Sequence, residues 1–315
     1  MKVLVADKFE KIGLDGLKSL GAEVVYEPDL KEASLLEALQ HHEPQVLVVR
    51  STKVTADMVA TPSLEVVIRA GAGYNTIDVA AASEHDVAVT NCPGKNAAAV
   101  AELAFGLMLA CDRRIPDNVA QLREGKWNKK EFGKAQGLQG RTLGLVGFGN
   151  ISKEVLVRAK AFGMNILVAT KNNPEQVGEF GATAVDPIEL ASKSDVVSVH
   201  TSLRPDTKGM VDEAFFAAMK PNAIFINTSR AEVVDQAAML KAASEKGIRL
   251  GLDVFDGEPT SAEGPYDGEL KDVPNAYCTH HIGASTEQAQ EAVAEEVVRI
   301  VKEVQAGNPA PNRVN

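Results

Sequence analysis

Residues 142–152, Thr-Leu-Gly-Leu-Val-Gly-Phe-Gly-Asn-Ile-Ser, constrain the fold more than any other part of the chain. The apolar run ending at Val146 reads as a buried strand, and Gly147 and Gly149 as a turn that the backbone makes only without side chains. Ile151, Val155, Ala159 and Phe162 then read as one face of a helix. A bare Gly-x-Gly also joins strands and helices that bind nothing, but strand, glycine turn and helix start in succession build a pyrophosphate cradle. The helix N-terminus offers unpaired N–H groups and partial positive charge, and Gly149 admits phosphate oxygens to them. The pattern implies dinucleotide binding.

Two departures from that pattern matter. Ser152 stands where a third small residue is expected at the closest helix–strand approach, a mild misfit. The next strand, residues 165–169, ends in Thr170-Lys171-Asn172-Asn173, with no Asp or Glu to grip the adenine ribose hydroxyls. A carboxylate there repels a 2′-phosphate and selects NAD, whereas Thr170 and Lys171 offer a hydroxyl and a positive charge that would accept NADP. Both cofactors stay open, and Lys171 as a plain solvated loop residue is an equal reading.

The rest of the chain alternates in the same way. Short apolar runs at 3–5, 24–26, 46–49, 66–69 and 87–90 separated by helical patterns form one parallel α/β unit. An apolar helix over 97–111 follows, then a polar segment through Trp127 to Lys130 that reads as a connector. Six more strands, at 143–146, 166–169, 196–199, 223–226, 250–253 and 276–278, match a doubly wound dinucleotide fold. The last helix opens on Ser285-Thr-Glu-Gln288, read as a capping box, and carries Ala289, Val293, Val297, Ile300 and Val304 on one face. Because the second sheet is complete by Cys278, this helix is expected to return to the first unit, leaving interleaved domains with a cleft between them. The expected division is 1–96 with 285–315, and 97–284. The tail from Gly307 to Pro311 reads as a simple stop.

At 315 residues and 45% hydrophobic the chain is long enough for two substantial cores. A net charge of −10 argues against a nucleic-acid or acidic-membrane partner. No apolar run reaches spanning length and the start turns polar too early for a secretory signal, so a cytoplasmic location is expected. Cys92, Cys111 and Cys278 read as reduced core thiols, and no cluster has metal-ligand spacing.

Three segments fall at strand ends of the second unit: Asn227-Thr-Ser-Arg230, Asp253 to Pro259, and Thr279-His-His-Ile-Gly283. An arginine, an acid and a histidine thus converge on the edge where open α/β sheets bind ligands. Oxidising a secondary alcohol needs a base for its proton, a cation for a neighbouring carboxylate, and a group that fixes the imidazole. On an extended chain His280 and His281 point to opposite sides, and only one can serve. Singly, Arg230, Glu258 and either histidine are as readily structural; their joint occurrence tips the balance.

Here the chain resembles the D-isomer-specific 2-hydroxyacid dehydrogenase family. The likeness runs through Val49 to Thr55, Arg69 to Asp78, Asn91 to Asn96, Gly125 to Trp127, the glycine turn, Val199-His-Thr201, Asn227 to Arg230, Leu252 to Phe255 with Glu258-Pro259, and His281 to Thr286. It implies two doubly wound parallel-sheet domains, a Rossmann-type cofactor domain inserted into a flavodoxin-like substrate domain. It also implies the catalytic set Arg230, Glu258 and His281, which resolves the histidine pair. Cofactor contacts are implied at Gly147, Phe148, Gly149, Asn150, Ile151, Thr170, Lys171, His200, Thr201, Thr228, Asp253 (to the nicotinamide amide) and Gly283. Substrate contacts are implied at Ala72, Gly73, Arg230 and His281. A phosphate on the substrate would need cations, for which Arg50, Lys53 and Arg69, with a partner's Lys129, are the candidates; each is equally readable as a solvated charge. Ser202 and His280 stand where the family has prolines.

Within the family the sequence is most similar to the phosphoglycerate dehydrogenases, which implies NAD-linked oxidation of 3-phospho-D-glycerate in serine biosynthesis. It also implies a homodimer held by the helix after Asn96. Such enzymes often carry a C-terminal serine-sensing domain; this chain stops after one last helix, so that feedback is expected to be absent. A glyoxylate or hydroxypyruvate reductase, often NADP-linked, is the nearest rival, and an NAD-sensing corepressor the rival of another class.

Overall fold

The computed structural model describes residues 1–259 and 263–315. The chain divides into two compact units, one made of Met1–Asn96 with Ser285–Asn315 and the other of Ala97–Ala284.

The first unit begins with β1 (Lys2–Val5), α1 (Lys11–Ser19), β2 (Glu23–Tyr26), α2 (Ala33–His42), β3 (Val46–Val49), α3 (Ala56–Val59), β4 (Val66–Arg69), α4 (Val79–Glu84) and β5 (Ala88–Asn91). The five strands are parallel and lie in the order β2-β1-β3-β4-β5, the flavodoxin-like doubly wound order. Alternation along each strand feeds two cores. Leu4, Leu47, Val67 and Val89 meet Leu35 and Leu39 on one face. Val3, Val5, Val46 and Ile68 meet Leu17 on the other.

The second unit holds α5 (Ala97–Arg113), α6 (Ile115–Arg123), α7 (Lys129–Phe132), β6 (Thr142–Val146), α8 (Asn150–Ala161), β7 (Asn165–Ala169), β8 (Thr183–Ala184), α9 (Pro187–Lys193), β9 (Val196–Val199), α10 (Glu213–Ala218), β10 (Ile224–Asn227), α11 (Gln236–Lys246), β11 (Arg249–Leu252) and β12 (Ala276–Cys278). Its parallel sheet has seven strands, in the order β12-β11-β10-β9-β6-β7-β8. The added strand, β8, is two exposed residues at the sheet edge, too short and polar to register as an apolar run. The polar segment expected as a connector contains α6 and α7, whose charged residues face solvent. Because the strand order reverses at β6, the turns after β6 and β9 open on the same crevice.

Finally α12 (Glu287–Gln305) returns to the first unit and places Val297, Ile300 and Val301 in the core with Leu17. Its cap is Thr286, whose hydroxyl accepts the Ala289 amide at 3.2 Å, one residue later than the capping box predicts. That register puts Glu287 in the first turn, where the helix dipole favours an acid. The helix ends ahead of the expected stop at 307–311, and the residues beyond it are structured. Val314 N–H donates to the Val89 carbonyl and the Asn315 side chain accepts from Val89 N–H, so residues 312–315 pair along the free edge of β5.

Two further expectations change. Cys92 and Cys111 are buried, but Cys278 is exposed, because β12 is an edge strand that turns Tyr277 inward and its neighbour out. The buried face of α8 is Ser152, Val155, Leu156 and Ala159. Phe162, just past the helix, is 41% exposed while its ring stacks on Phe105.

Candidate active site

Gly147 and Gly149 are glycines for different reasons. Gly147 has φ +99° and a Cβ there would lie 2.8 Å from the His200 carbonyl oxygen, so the fold itself excludes a side chain. Gly149 caps α8 with φ −94°, and a Cβ would meet nothing within 4 Å. Neither conformation nor packing requires a glycine there, and the open space lies over the first turn of α8, where Asn150 and Ile151 begin the helix. A phosphate approaching the helix N-terminus needs that space, so these residues fit a dinucleotide. Ser152 is better than a tolerated misfit: fully buried, its hydroxyl donates to the Gly147 carbonyl at 2.9 Å and braces the turn.

In front of the turn lies a pocket of about 280 Å³. It brings together the predicted Gly147, Phe148, Gly149, Thr170, Lys171, His200 and Thr201, and adds Arg204 and Asp206, which the sequence did not flag. His200 is buried, and burial pushes its pKa down to about 3, so the ring is neutral. Its Nε2 meets Ser198 Oγ at 2.8 Å and its Nδ1 meets Thr228 Oγ1 at 3.3 Å, which fixes Thr228 beside the pocket wall.

The loops after β10, β11 and β12 carry the chemical groups. The Asn227 side chain accepts Ser229 N–H at 3.0 Å and donates to the Arg230 carbonyl at 3.1 Å, shaping the turn that carries Arg230. The signal for this was in the sequence: a polar residue ending a buried strand. Asp253, 2% exposed, accepts from the Thr279 hydroxyl at 2.7 Å and from the amides of Ile282 and Gly283 at 2.8 Å each. Oδ2 takes only the Gly283 amide of these three and keeps capacity for one more donor. The His281 amide donates to the Asp253 carbonyl. Gathered this way, the chain is not extended at the histidine pair, as expected from the strand; His281 sits in the left-handed region at φ +53°.

That turn brings His281 Nδ1 to 2.8 Å from Glu258 Oε2. Oε1 of Glu258 is held by the Phe255 amide at 2.9 Å. The Glu258 hydrogen bond raises the His281 pKa above its ordinary value, against burial and the nearby Arg230 charge. Burial works against the ionised Glu258, but the His281 hydrogen bond, the Phe255 amide and the charges of His281 and Arg230 outweigh it and hold the carboxyl low. Carboxylate, imidazole and guanidinium therefore form one electrostatic group, with Nε2 of His281 free of the carboxylate. The arrangement can move a proton at Nε2 beside a fixed positive charge.

In the first unit, Asp7 accepts the amides of Arg50 at 2.6 Å and of Ser51 and Thr52 at 3.1 Å, fixing the loop after β3. Arg50 itself stands 4.0 Å from Glu10. Asn91 Nδ2 donates to the Ala72 carbonyl at 2.5 Å, which orders the loop of Ala72 and Gly73 after β4. Among the described residues no cluster could hold a metal ion, and no helix is long and apolar enough to cross a membrane.

Residues 105–283 match the family model described as D-isomer specific 2-hydroxyacid dehydrogenase, NAD binding domain. A D-3-phosphoglycerate dehydrogenase of Methanocaldococcus jannaschii is 41% identical over 320 residues, covering 100% of this chain and 59% of that protein. The chain thus spans little more than half of that relative. A hydroxypyruvate reductase of Thermotoga maritima is 44% identical over 266 residues, covering 83% of this chain and 85% of the other. A solved protein of Thermus thermophilus superposes with a TM-score of 0.86 at 33% identity, over 100% of both chains.

Proposed function

This chain belongs to the D-isomer specific 2-hydroxyacid dehydrogenase family, and on that footing we propose that it interconverts a D-2-hydroxy acid and its 2-keto acid, with 3-phospho-D-glycerate and 3-phosphohydroxypyruvate as the pair. The observation that carries the proposal is the 2.8 Å contact of His281 Nδ1 with Glu258, within the field of Arg230. Bound NAD supplies the hydride acceptor, with NADP as the alternative that Thr170 leaves open. His281 Nε2 takes the hydroxyl proton in oxidation and returns it in reduction. Arg230 holds the substrate carboxylate and stabilises charge on the forming carbonyl oxygen. Glu258 keeps the proton on Nδ1 when the ring is neutral, so that Nε2 is the basic nitrogen.

In the first unit, the amides of Ala72 and Gly73 are the proposed holders of a carboxylate and Arg50 of the phosphate. A homodimer belongs to the same proposal, held by α5, the helix after Asn96, whose one face packs in the core of its own unit. Trp127 (80% exposed), Leu122 (53%), Ile115 (47%) and Val119 (40%) put an apolar surface on α6 and the loop after it, which suits a second copy.

A second reading has its own support: the hydroxypyruvate reductase is matched over most of its length. Absorbance of the reduced cofactor with 3-phospho-D-glycerate, hydroxypyruvate and glyoxylate separates the two. The expected result is highest kcat/KM for the phosphorylated pair, weakened selectively by Arg50→Ala, and turnover lower by about two to four powers of ten in His281→Ala. Unchanged turnover in His281→Ala contradicts the proposal.

A further inference from the structure

At the pocket of the second unit three charged groups meet. Lys171 follows β7, while Arg204 and Asp206 lie in the loop after β9. Asp206 Oδ1 accepts from Arg204 Nε at 3.1 Å, and Oδ2 lies 3.5 Å from Lys171 Nζ. The loop is stiff where it carries them: the buried Thr207 hydroxyl donates to the Ser202 carbonyl at 2.6 Å and accepts the Arg204 amide at 2.8 Å. Thr170, the residue in place of the usual acid, spends its hydroxyl within its own turn, on Asn172. A second carboxylate, Asp186, also lines the pocket and caps α9 through the amides of Ile188 and Glu189.

We propose that Asp206 sets the choice of dinucleotide: it supplies from the loop after β9 the carboxylate that the end of β7 lacks, and it turns the pocket toward NAD. The inference rests on the nucleotide reading of this pocket. Lys171 and Arg204 are the two cations a 2′-phosphate would use, and both are turned onto Asp206. A dianionic phosphate has to displace that carboxylate from both partners or lie beside it, with Asp186 adding a further negative charge. A free ribose diol offers neutral O–H donors, which a carboxylate accepts. The specificity element is thus repulsive and comes from a different loop than the usual one.

The test is calorimetric binding of two adenosine fragments, ADP and 2′,5′-ADP, to the full chain, with no turnover needed. Wild type is expected to bind ADP about tenfold or more tighter than 2′,5′-ADP. In Asp206→Asn, 2′,5′-ADP is expected to gain about tenfold relative to ADP, and adding Lys171→Ala removes the gain. Thermal melting checks that each variant is folded. A wild-type preference for 2′,5′-ADP, or a ratio that Asp206→Asn shifts by less than about threefold, overturns the assignment while the nucleotide site stands. Failure of wild type to bind either fragment overturns the nucleotide reading along with it.

Discussion

Replacing Gly147 and Gly149 singly by alanine separates what the fold needs from what a ligand needs. At Gly147 the new methyl group meets only backbone: the His200 carbonyl oxygen at 2.8 Å, its carbon at 3.1 Å and the Thr201 Cα at 3.1 Å. None of these atoms can swing away as a side-chain end would. The φ of +99° adds strain of roughly 1–2 kcal/mol for a residue with a Cβ, and relieving the overlap adds about 1–3 kcal/mol. The sum is about 2–5 kcal/mol, which in a unit of this size lowers Tm by about 4–20 °C.

At Gly149 the backbone is ordinary and the methyl group meets no protein atom within 4 Å. The stability cost is that of a weaker helix cap, below about 1 kcal/mol. The loss falls on the ligand instead: a methyl group where phosphate oxygens approach the amides of α8 costs about 1–3 kcal/mol, or about fivefold to 150-fold in Kd. Thermal denaturation and NAD titration of both variants read the two effects apart. Gly149→Ala binding NAD as wild type does, or melting as low as Gly147→Ala, refutes the reasoning.

Three other outcomes follow from the same contacts. Because Glu258 raises the His281 pKa above its ordinary 6.5 and the proposed oxidation uses the neutral imidazole, kcat/KM for oxidation is expected to rise with pH through a midpoint above 6.5, and that for reduction to fall through it. Glu258→Gln moves both midpoints downward; unmoved midpoints sever Glu258 from the proton transfer. Ser152→Ala leaves the Gly147 carbonyl without its hydroxyl donor and is expected to cost about 1 kcal/mol in urea unfolding, whereas a gain in stability would restore the misfit reading. In the first unit, Arg299 at 2.6 Å, Asn312 at 2.8 Å and Lys95 at 3.3 Å pull the Glu296 carboxyl down to about 2. Its contribution to stability is therefore full above pH 4.5, its ordinary value, and lost as pH falls toward about 2. Glu296→Gln should flatten the acid limb of a stability–pH curve, and an unaltered limb contradicts the assignment.

Strand positions were legible because buried parallel strands write themselves as apolar runs: β3, β4, β9 and β12 have the predicted bounds, and β5 is shifted by one residue. What stayed hidden depends on partners distant in sequence. The tail at 312–315 has no apolar pattern because it pairs through backbone and amide groups on the edge of β5. The left-handed turn at His281 is set by Asp253, 28 positions earlier, and extended-strand logic cannot see it. Asp206 escaped notice for the same reason. The sequence pattern searches for an acid at the end of β7, whereas the structure brings one across from the next loop of the pocket.

The central claim is direct hydride passage between the C2 carbon of a D-2-hydroxy acid and a nicotinamide, with the proton handled by His281. Oxidising 3-phospho-D-glycerate deuterated at C2 and analysing the cofactor by mass spectrometry and NMR tests it most directly. The account predicts deuterium retained at nicotinamide C4, from the D isomer alone, and almost none formed by His281→Ala. Deuterium lost to water, or equal transfer from the L isomer, contradicts it.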